Sequence, residues 1–365
     1  MSSSTNGALG WVSPSGVVVN IQPFMSYNWK FTRLSMTEVV GGKIAEGEVA
    51  LQSAGTDESI KLITDTHYIT ITLQCPDGGS SYNIKGFITS KNWTKNVLDI
   101  KFLCIPSHKF FSDALITLQS DPTDALKQLW GTENEDTLDI RCESDLNNEV
   151  TFQQLGESNY KACKKLAYSF KKNSIFCFGL EGFMIKDIIG TNSKGNDEPE
   201  FFVIGDGEVN QTSGFNLNFN YRIYKQSENP WEADDYSEKK QHSKLTSLTI
   251  DDEYYLVSQD HFGLLSNYVH NKNLMESRFQ TSLTVVTPDS LPNFKIGDTI
   301  KYKRSTDTTS NPFEVFFVSK MTYFISTEGD KDENGLQFSV SSILRGIGDK
   351  GKELSQDGSK FDPEE

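Results

Sequence analysis

Apolar and polar residues alternate with a period of two over much of this chain, and few other patterns restrict a fold as strongly. Tyr27, Trp29 and Phe31 alternate with Asn28, Lys30 and Thr32. Successive side chains of a strand point to opposite faces, so this pattern predicts a strand with one buried face. Ile69, Ile71 and Leu73 repeat it against Thr70, Thr72 and Gln74, and Cys75-Pro76-Asp77-Gly78-Gly79 then supplies turn chemistry. Tyr82 and Ile84 open a strand that runs to Thr89, completing a hairpin. Leu98, Ile100, Phe102 and Cys104 face away from Asp99 and Lys101 as a third antiparallel strand. The chain up to Ile105 therefore predicts an all-β barrel or sandwich.

At Pro106 the character changes. Asp121 is a capping residue with Pro122 at the first helical position, and Leu126, Leu129 and Trp130 fall on one face before Gly131 ends the helix. Ser158 caps a second predicted helix with Tyr160, Cys163, Leu166, Ala167 and Phe170 as its apolar face. Ile175 to Phe178 and Phe183 to Ile188 form a hairpin around Leu180-Glu181-Gly182, so this middle portion reads as α+β.

The stretch from Gly190 to Asp197 has the composition of a loop and marks the next boundary. Phe215, Leu217, Phe219, Tyr221 and Ile223 then alternate with asparagines and Arg222 and predict one long strand. Residues 226–241 carry Glu228, Glu232, Asp234, Asp235 and Glu238 around Pro230 and predict an exposed excursion. A mixed, partly helical segment follows Asp260. Asn293 to Asp298 turns into a strand at Thr299 to Lys303, and further strands hold Val315, Phe317 and Met321, then Leu336, Phe338 and Val340. The acidic tail from Asp349 to Glu365 is expected to be disordered.

With 365 residues the chain is long enough for two or three domains. Its 35 Lys and Arg against 50 Asp and Glu give a net charge of −15, which disfavours binding to nucleic acid by phosphate neutralisation and binding to anionic membranes. No stretch has the ~20 apolar residues of a membrane span and the N-terminus lacks the pattern of a signal peptide, so a cytoplasmic site of synthesis is expected. Cys75, Cys104, Cys142, Cys163 and Cys177 show no paired metal-ligand spacing and read as reduced core residues.

The search for chemistry is mostly negative. His67, His108, His242, His261 and His270 are scattered, with only the last two close in sequence and no carboxylate set at ligand spacing. Gly205-Asp206-Gly207 reads as a turn, since no phosphate-binding glycine-lysine motif follows. Asp234 with Asp235, and Asp251, Asp252 and Glu253, are pairs of the kind glycan cleavage uses, yet runs of acids are usually solvated. Trp231 and Tyr236 suit stacking on sugars or a partner protein, or local packing. The expectation is a protein without catalytic, cofactor or metal site.

Two parts of the chain run in parallel order. Ile69 to Leu73, Tyr82 to Ser90 and Leu98 to Ile105, separated by polar turns, match Thr299 to Lys303, Phe313 to Tyr323 and Leu336 to Leu344. Duplication explains this, as does the chance recurrence of short antiparallel strands. The order of elements, with the helix Asp121 to Trp130, the helix beginning Tyr160-Lys161-Ala162-Cys163, the strand Gly182 to Asp187 and the turn Leu291 to Ile300, resembles the tail-hub family. That family comprises baseplate hubs of contractile phage tails, late-control protein D and the base of the VgrG spike. The resemblance spans residues 17–347. The acidic excursion around Pro230-Trp231 and the tail after Arg345 have no counterpart in it, and nothing like a fused spike or lysozyme unit follows.

The resemblance implies a mainly β fold with α+β insertions: two duplicated antiparallel, tail-tube-like β-barrels plus small α+β domains. The expected division is a flexible 1–16, a first barrel over 17–107, an α+β domain over 108–190, the start of the second barrel over 191–225, an insertion over 226–275, the rest of the second barrel over 276–347 and a disordered tail over 348–365. It further implies a homotrimer in the baseplate of a virion, assembled in the cytoplasm of a bacterial host, that adapts a six-fold tail tube to a three-fold central spike. Partners would be the tube or tube-initiator protein, the spike, the tape-measure protein and baseplate wedge proteins, with DNA only in transit and no membrane. A carbohydrate-binding or glycan-cleaving β-rich tail protein is the alternative.

Overall fold

The alternating segments form strands whose inward faces make a common core. The computed structural model describes residues 10–342 apart from 14–15, 25–28, 54–62, 75–80, 132–136, 147–149, 189–200, 206–211, 216–221, 227–232, 238–253, 258–266, 269–270, 272–274, 276–278, 283–284, 288–293, 305–313 and 328–334. The first eight strands are β1 (Trp11–Val12), β2 (Val18–Gln22), β3 (Lys30–Val39), β4 (Gly41–Ile44), β5 (Glu46–Gln52), β6 (Tyr68–Gln74), β7 (Ser81–Thr94) and β8 (Val97–Leu103). Next come β9 (Asp113–Ser120), α1 (Pro122–Trp130), β10 (Leu138–Arg141), β11 (Val150–Ser158), α2 (Asn159–Phe170), β12 (Ser174–Phe178) and β13 (Phe183–Asp187). The remainder holds β14 (Phe201–Gly205), β15 (Thr212–Phe215), β16 (Arg222–Gln226), β17 (Ala233–Ser237), β18 (Tyr254–Val257), β19 (Phe279–Ser282), β20 (Val285–Thr287), β21 (Thr299–Arg304), β22 (Glu314–Ser326) and β23 (Gly335–Ser342).

The protein is mainly β, with few helices and a large sheet that curls as a half-barrel. Twelve strands make that sheet in the order β1-β2-β6-β7-β8-β5-β3-β22-β21-β14, with β23 also paired to β22 and β20 to β23. Each meander is built around a long middle strand, 14 residues in β7 and 13 in β22. Each middle strand also bulges by one residue against the strand that follows it, between Ile88 and Ser90 and between Val318 and Lys320. A bulge bends its strand and increases the local twist, as a sheet that curls requires. Lys95 and Asn96, with φ of 55° and 66°, make the two-residue turn from β7 to β8, where two left-handed residues match the twist of the hairpin.

Phe102 of β8 packs its ring over two glycines on the flanking strands. A Cβ on Gly47 would lie 2.3 Å from its Cζ, and one on Gly86 2.6 Å from its Cδ2. The core beneath the curl joins both meanders, bringing Ile71, Leu73, Tyr82 and Ile84 together with Met321, Tyr323 and Ile325.

A second core lies against the sheet β10-β13-β12-β4, in which β10 with β13 and β12 with β4 run parallel. Its aromatic centre is Phe110, Trp130, Phe176, Phe178 and Phe183, covered by α1 and α2. Both helices are capped as the sequence predicts: Asp121 Oδ1 accepts from the Thr123 amide at 2.8 Å, and Ser158 Oγ from the Lys161 amide at 3.4 Å.

The structure differs from the sequence-based reading at several points. Phe215 and Ile223, predicted on one strand, fall in β15 and β16, which belong to different small sheets, and 216–221 lie outside the described residues. Ala233–Ser237, within the predicted excursion, is a strand paired with β16. In agreement with the partly helical segment expected after Asp260, Asn267, Tyr268, Asn271 and Met275 are helical. The 348–365 tail and residues 1–9 lie outside the described residues. Among the described residues no helix is long and apolar enough to cross a membrane.

Candidate functional site

The two meanders are joined where β3, linked to the first through β5, pairs with β22 of the second, and this seam is where the chain's own structure bears on what it can do. Seven residue pairs align the strands antiparallel, from Lys320 opposite Val39 to Ser326 opposite Arg33. Amides beyond the ladder extend it, Val40 donating to Ser319 O at 2.8 Å and Thr327 to Thr32 O at 2.9 Å. Pairing two strands that would otherwise each present a bare edge satisfies their backbone groups and makes one continuous wall of both meanders.

Glu38 lies near one end of this seam, opposite Met321, 4% exposed, on the inward phase of β3 with Leu34 and Met36. The Tyr323 hydroxyl donates to its Oε1 at 3.0 Å, and the Leu180 amide, in the β12–β13 turn, donates to its Oε2 at 3.0 Å. One carboxyl therefore fastens β3, β22 and the tip of the α+β sheet together. Burial pushes it up to about 7, against the lowering effect of the two hydrogen bonds, with nearby Glu181 raising it further and Lys295 lowering it. Tyr323 is raised well above the ordinary tyrosine value, chiefly by burial and then by Glu38. The buried thiols of Cys104 and Cys177 are likewise raised by burial and by Glu38.

The same turn makes a second clamp. Glu181 Oε1 accepts from the Asn83 amide of β7 at 3.2 Å, and its Oε2 is in ion-pair contact with Lys295 Nζ. Lys295 also lies 5.4 Å from the ring centre of Tyr82. Gly182 gives the turn its shape with φ of +139°, and a Cβ there would lie 1.9 Å from the carbonyl oxygen of Thr137. A side chain is excluded on both counts.

Behind the turn, Lys186 is fully buried and donates to Gly297 O at 3.1 Å. Asp298, also fully buried, accepts from the Lys295 amide at 2.9 Å, and Arg141 Nη1 lies 3.6 Å from its Oδ1. The Gly297 amide donates to Val318 O at 2.8 Å, and the Val318 amide donates to Asp298 O at 2.9 Å. The loop that leads into β21 is thus bound to β13 and β22 together.

Another tie comes from the helical residues near position 270. Asn271 Nδ2 donates to Tyr168 O at 2.8 Å and is in hydrogen-bond contact with Lys171 O, while its Oδ1 accepts from the Asn173 amide at 2.9 Å. Asn267 donates to Ser169 O at 3.2 Å, and Tyr268 meets Tyr168 edge-on at 5.2 Å. Two carbonyls of the last turn of α2, Tyr168 O and Ser169 O, accept from here, while Phe170 O accepts from the Asp145 amide at 3.0 Å and Ser144 Oγ at 2.9 Å.

Among the described residues, the histidines and acids singled out in the sequence do not gather at this seam, whereas the buried Cys177 thiol donates to Val39 O at 3.2 Å. His67 and His108 are exposed, and Tyr68 Oη lies 3.2 Å from His108 Nδ1 beside Phe87. Asp234, Asp235 and Tyr236 lie on β17, opposite Lys225, Tyr224 and Ile223 of β16. His242, His261, His270, Trp231 and residues 251–253 lie outside the described residues, as does Cys75. Cys104, Cys163 and Cys177 are buried free thiols and Cys142 is half-buried, its thiol pushed up to about 12 by burial. Sequence reasoning passed over Glu38, Lys186, Asn267 and Asn271. For Glu38 a signal existed, a carboxylate in phase with the apolar side of a strand; for Asn267 and Asn271 it was their spacing of four.

The fold is similar to that of two solved tail proteins. A tail protein from Neisseria meningitidis MC58 superposes with a TM-score of 0.58 at 13% identity, over 91% of this chain and 97% of that one. The 43 kDa tail protein of prophage MuSo2 from Shewanella oneidensis superposes with a TM-score of 0.52 at 11% identity, over 89% and 95%. No family model matches the chain, and no curated protein matches it.

Proposed function

We propose that the chain is the baseplate hub of a contractile phage or phage-like tail, acting as a homotrimer that adapts a six-fold tail tube to a three-fold central spike. The observation that carries this reading is the matching of the two meanders, each with a long middle strand bulged against its successor, joined in one sheet through β3 and β22. A three-fold object meets a six-fold one coaxially without leaving surfaces unmatched if each of its chains carries two equivalent units. The tail-protein fold and the sequence resemblance support the same reading.

In this role the meanders form the wall of the ejection channel, and the α+β part over 108–190 faces the spike. The partners are the tail tube or tube-initiator protein, the spike, the tape-measure protein and the wedge proteins, with DNA passing through. The net charge of −15 suits a wall over which phosphate slides rather than binds, and equally an outer surface that keeps the unassembled oligomer soluble. The role is architectural and involves no turnover. Light scattering on the purified protein tests the reading: it predicts an oligomer of three times 41.0 kDa, and a stable monomer or dimer at assembly concentrations contradicts it.

A further inference from the structure

We propose that Glu38 is a proton-operated latch: protonated, it fastens the β12–β13 turn to the seam between the meanders, and on losing its proton it releases that turn. All the contacts involved lie within one chain, so the inference stands apart from the hub reading.

The geometry sets two hydrogen bonds against burial. Glu38 is enclosed between β3, β22 and the turn, and its two oxygens are each met by one donor, Tyr323 Oη and Leu180 N. In the acid form Oε2 still accepts from Leu180, while Oε1–H can donate to the Tyr323 oxygen, so both contacts persist without charge. In the ionised form both bonds become charge-assisted, but the negative charge lies in the core. Withdrawing the ion from water outweighs what the two hydrogen bonds return, so the neutral form is favoured.

No group on the facing elements cancels that charge. Tyr323 from β22, Cys177 from β12 and Cys104 beyond β8 are all held in their neutral forms by burial. From the turn and the loop before β21, Glu181 opposes the charge and Lys295 favours it, but the Lys295 ammonium is engaged by Glu181. Burial wins, and the carboxyl holds its proton up to about pH 7.

The turn is the part with fewer ties to the wall. β3 and β22 are locked by their seven-pair ladder, whereas Gly179–Gly182, closed by its own two amide bonds at 2.7 and 3.4 Å, is fastened to β3 by Glu38 and to β7 and the loop before β21 by Glu181. A Cβ on Gly179 would lie 3.1 Å from Glu38 Oε2, so the turn backbone rests directly on the carboxyl. Swinging it away exposes Glu38 to water.

Hydrogen exchange of the full-length protein, read as the protection factor of the Leu180 amide between pH 5.5 and 8.5, tests the latch. With the carboxyl shifted from 4.5 to about 7 in the closed state, protection is expected to fall about thirty-fold across that range. In Glu38→Gln, which reproduces the hydrogen-bond pattern of the acid form, it should stay flat. In parallel, ¹³C NMR of the wild-type Glu38 carboxyl should show titration near neutrality, a readout that needs no variant. A carboxyl titrating at its ordinary value, a Leu180 protection factor independent of pH, or the same fall in Glu38→Gln would each overturn the proposal.

Discussion

Placing a methyl group in the space that Phe102 occupies and removing the ring itself should each destabilise, and the second change should relieve the first. The three atoms nearest a Cβ built on Gly47 are Cζ, Cε1 and Cε2 of Phe102, at 2.3, 2.8 and 2.9 Å. The ring is 1% exposed and has Gly86 beneath its other end, so it cannot swing clear. Gly47→Ala should therefore destabilise by about 1–3 kcal/mol through overpacking. Phe102→Ala should cost roughly 3–5 kcal/mol, the loss of a buried aromatic ring. In the Phe102→Ala background the clash is gone, and Gly47→Ala should be neutral or stabilise by about 0.5–1 kcal/mol, the ordinary advantage of alanine over glycine within a strand. The coupling is then on the order of 2–3 kcal/mol, well above the scatter of additive sites. Urea unfolding of the four proteins measures it. A Gly47→Ala cost that is equal in both backgrounds would refute the reasoning, because the ring would not be what excludes the methyl group.

Further outcomes follow from the seam and its supports. Because the native state holds the Glu38 proton up to about 7 and the unfolded chain releases it near 4.5, unfolding free energy should fall as pH rises through that window. The full penalty, about 3 kcal/mol, applies above pH 7 and vanishes below 4.5, so chemical denaturation should find Glu38→Gln more stable than wild type at pH 8 and little changed at pH 4.5. Asn271→Ala strips donors from Tyr168 O and Lys171 O and should cost about 1–3 kcal/mol, with faster hydrogen exchange at the end of α2 and in 173–174. Gly182→Ala places a methyl group on the Thr137 carbonyl at a φ that suits glycine; its melting temperature should fall markedly, and an unchanged melt would contradict the turn geometry.

What the sequence made legible was local. Asp121 and Ser158 cap their helices because capping depends on residues two or three positions apart. The hairpin of β12 and β13 and the two meanders were readable because neighbouring antiparallel strands need only alternation and a turn. The parallel pairs β4 with β12, β10 with β13 and β14 with β21 were not, since their partners lie far apart and nothing local encodes the register. The seam belongs to the same class. Leu34, Met36 and Glu38 share a phase in the sequence, but that Tyr323 and Leu180 meet the carboxylate depends on contacts spanning 285 and 142 residues. Lys186 shows the limit differently: in a strand buried along most of its length, a lysine looks misplaced until the Gly297 carbonyl is brought to it.

The central claim is that two matched units per chain build a ring on which three-fold and six-fold partners both fit. Electron microscopy of the purified oligomer, averaged in end-on views, tests it most directly. The account predicts a ring with a central pore, three-fold symmetry and six similar lobes around the pore. A particle without a pore, or a ring whose lobe number is not twice its symmetry, would contradict it.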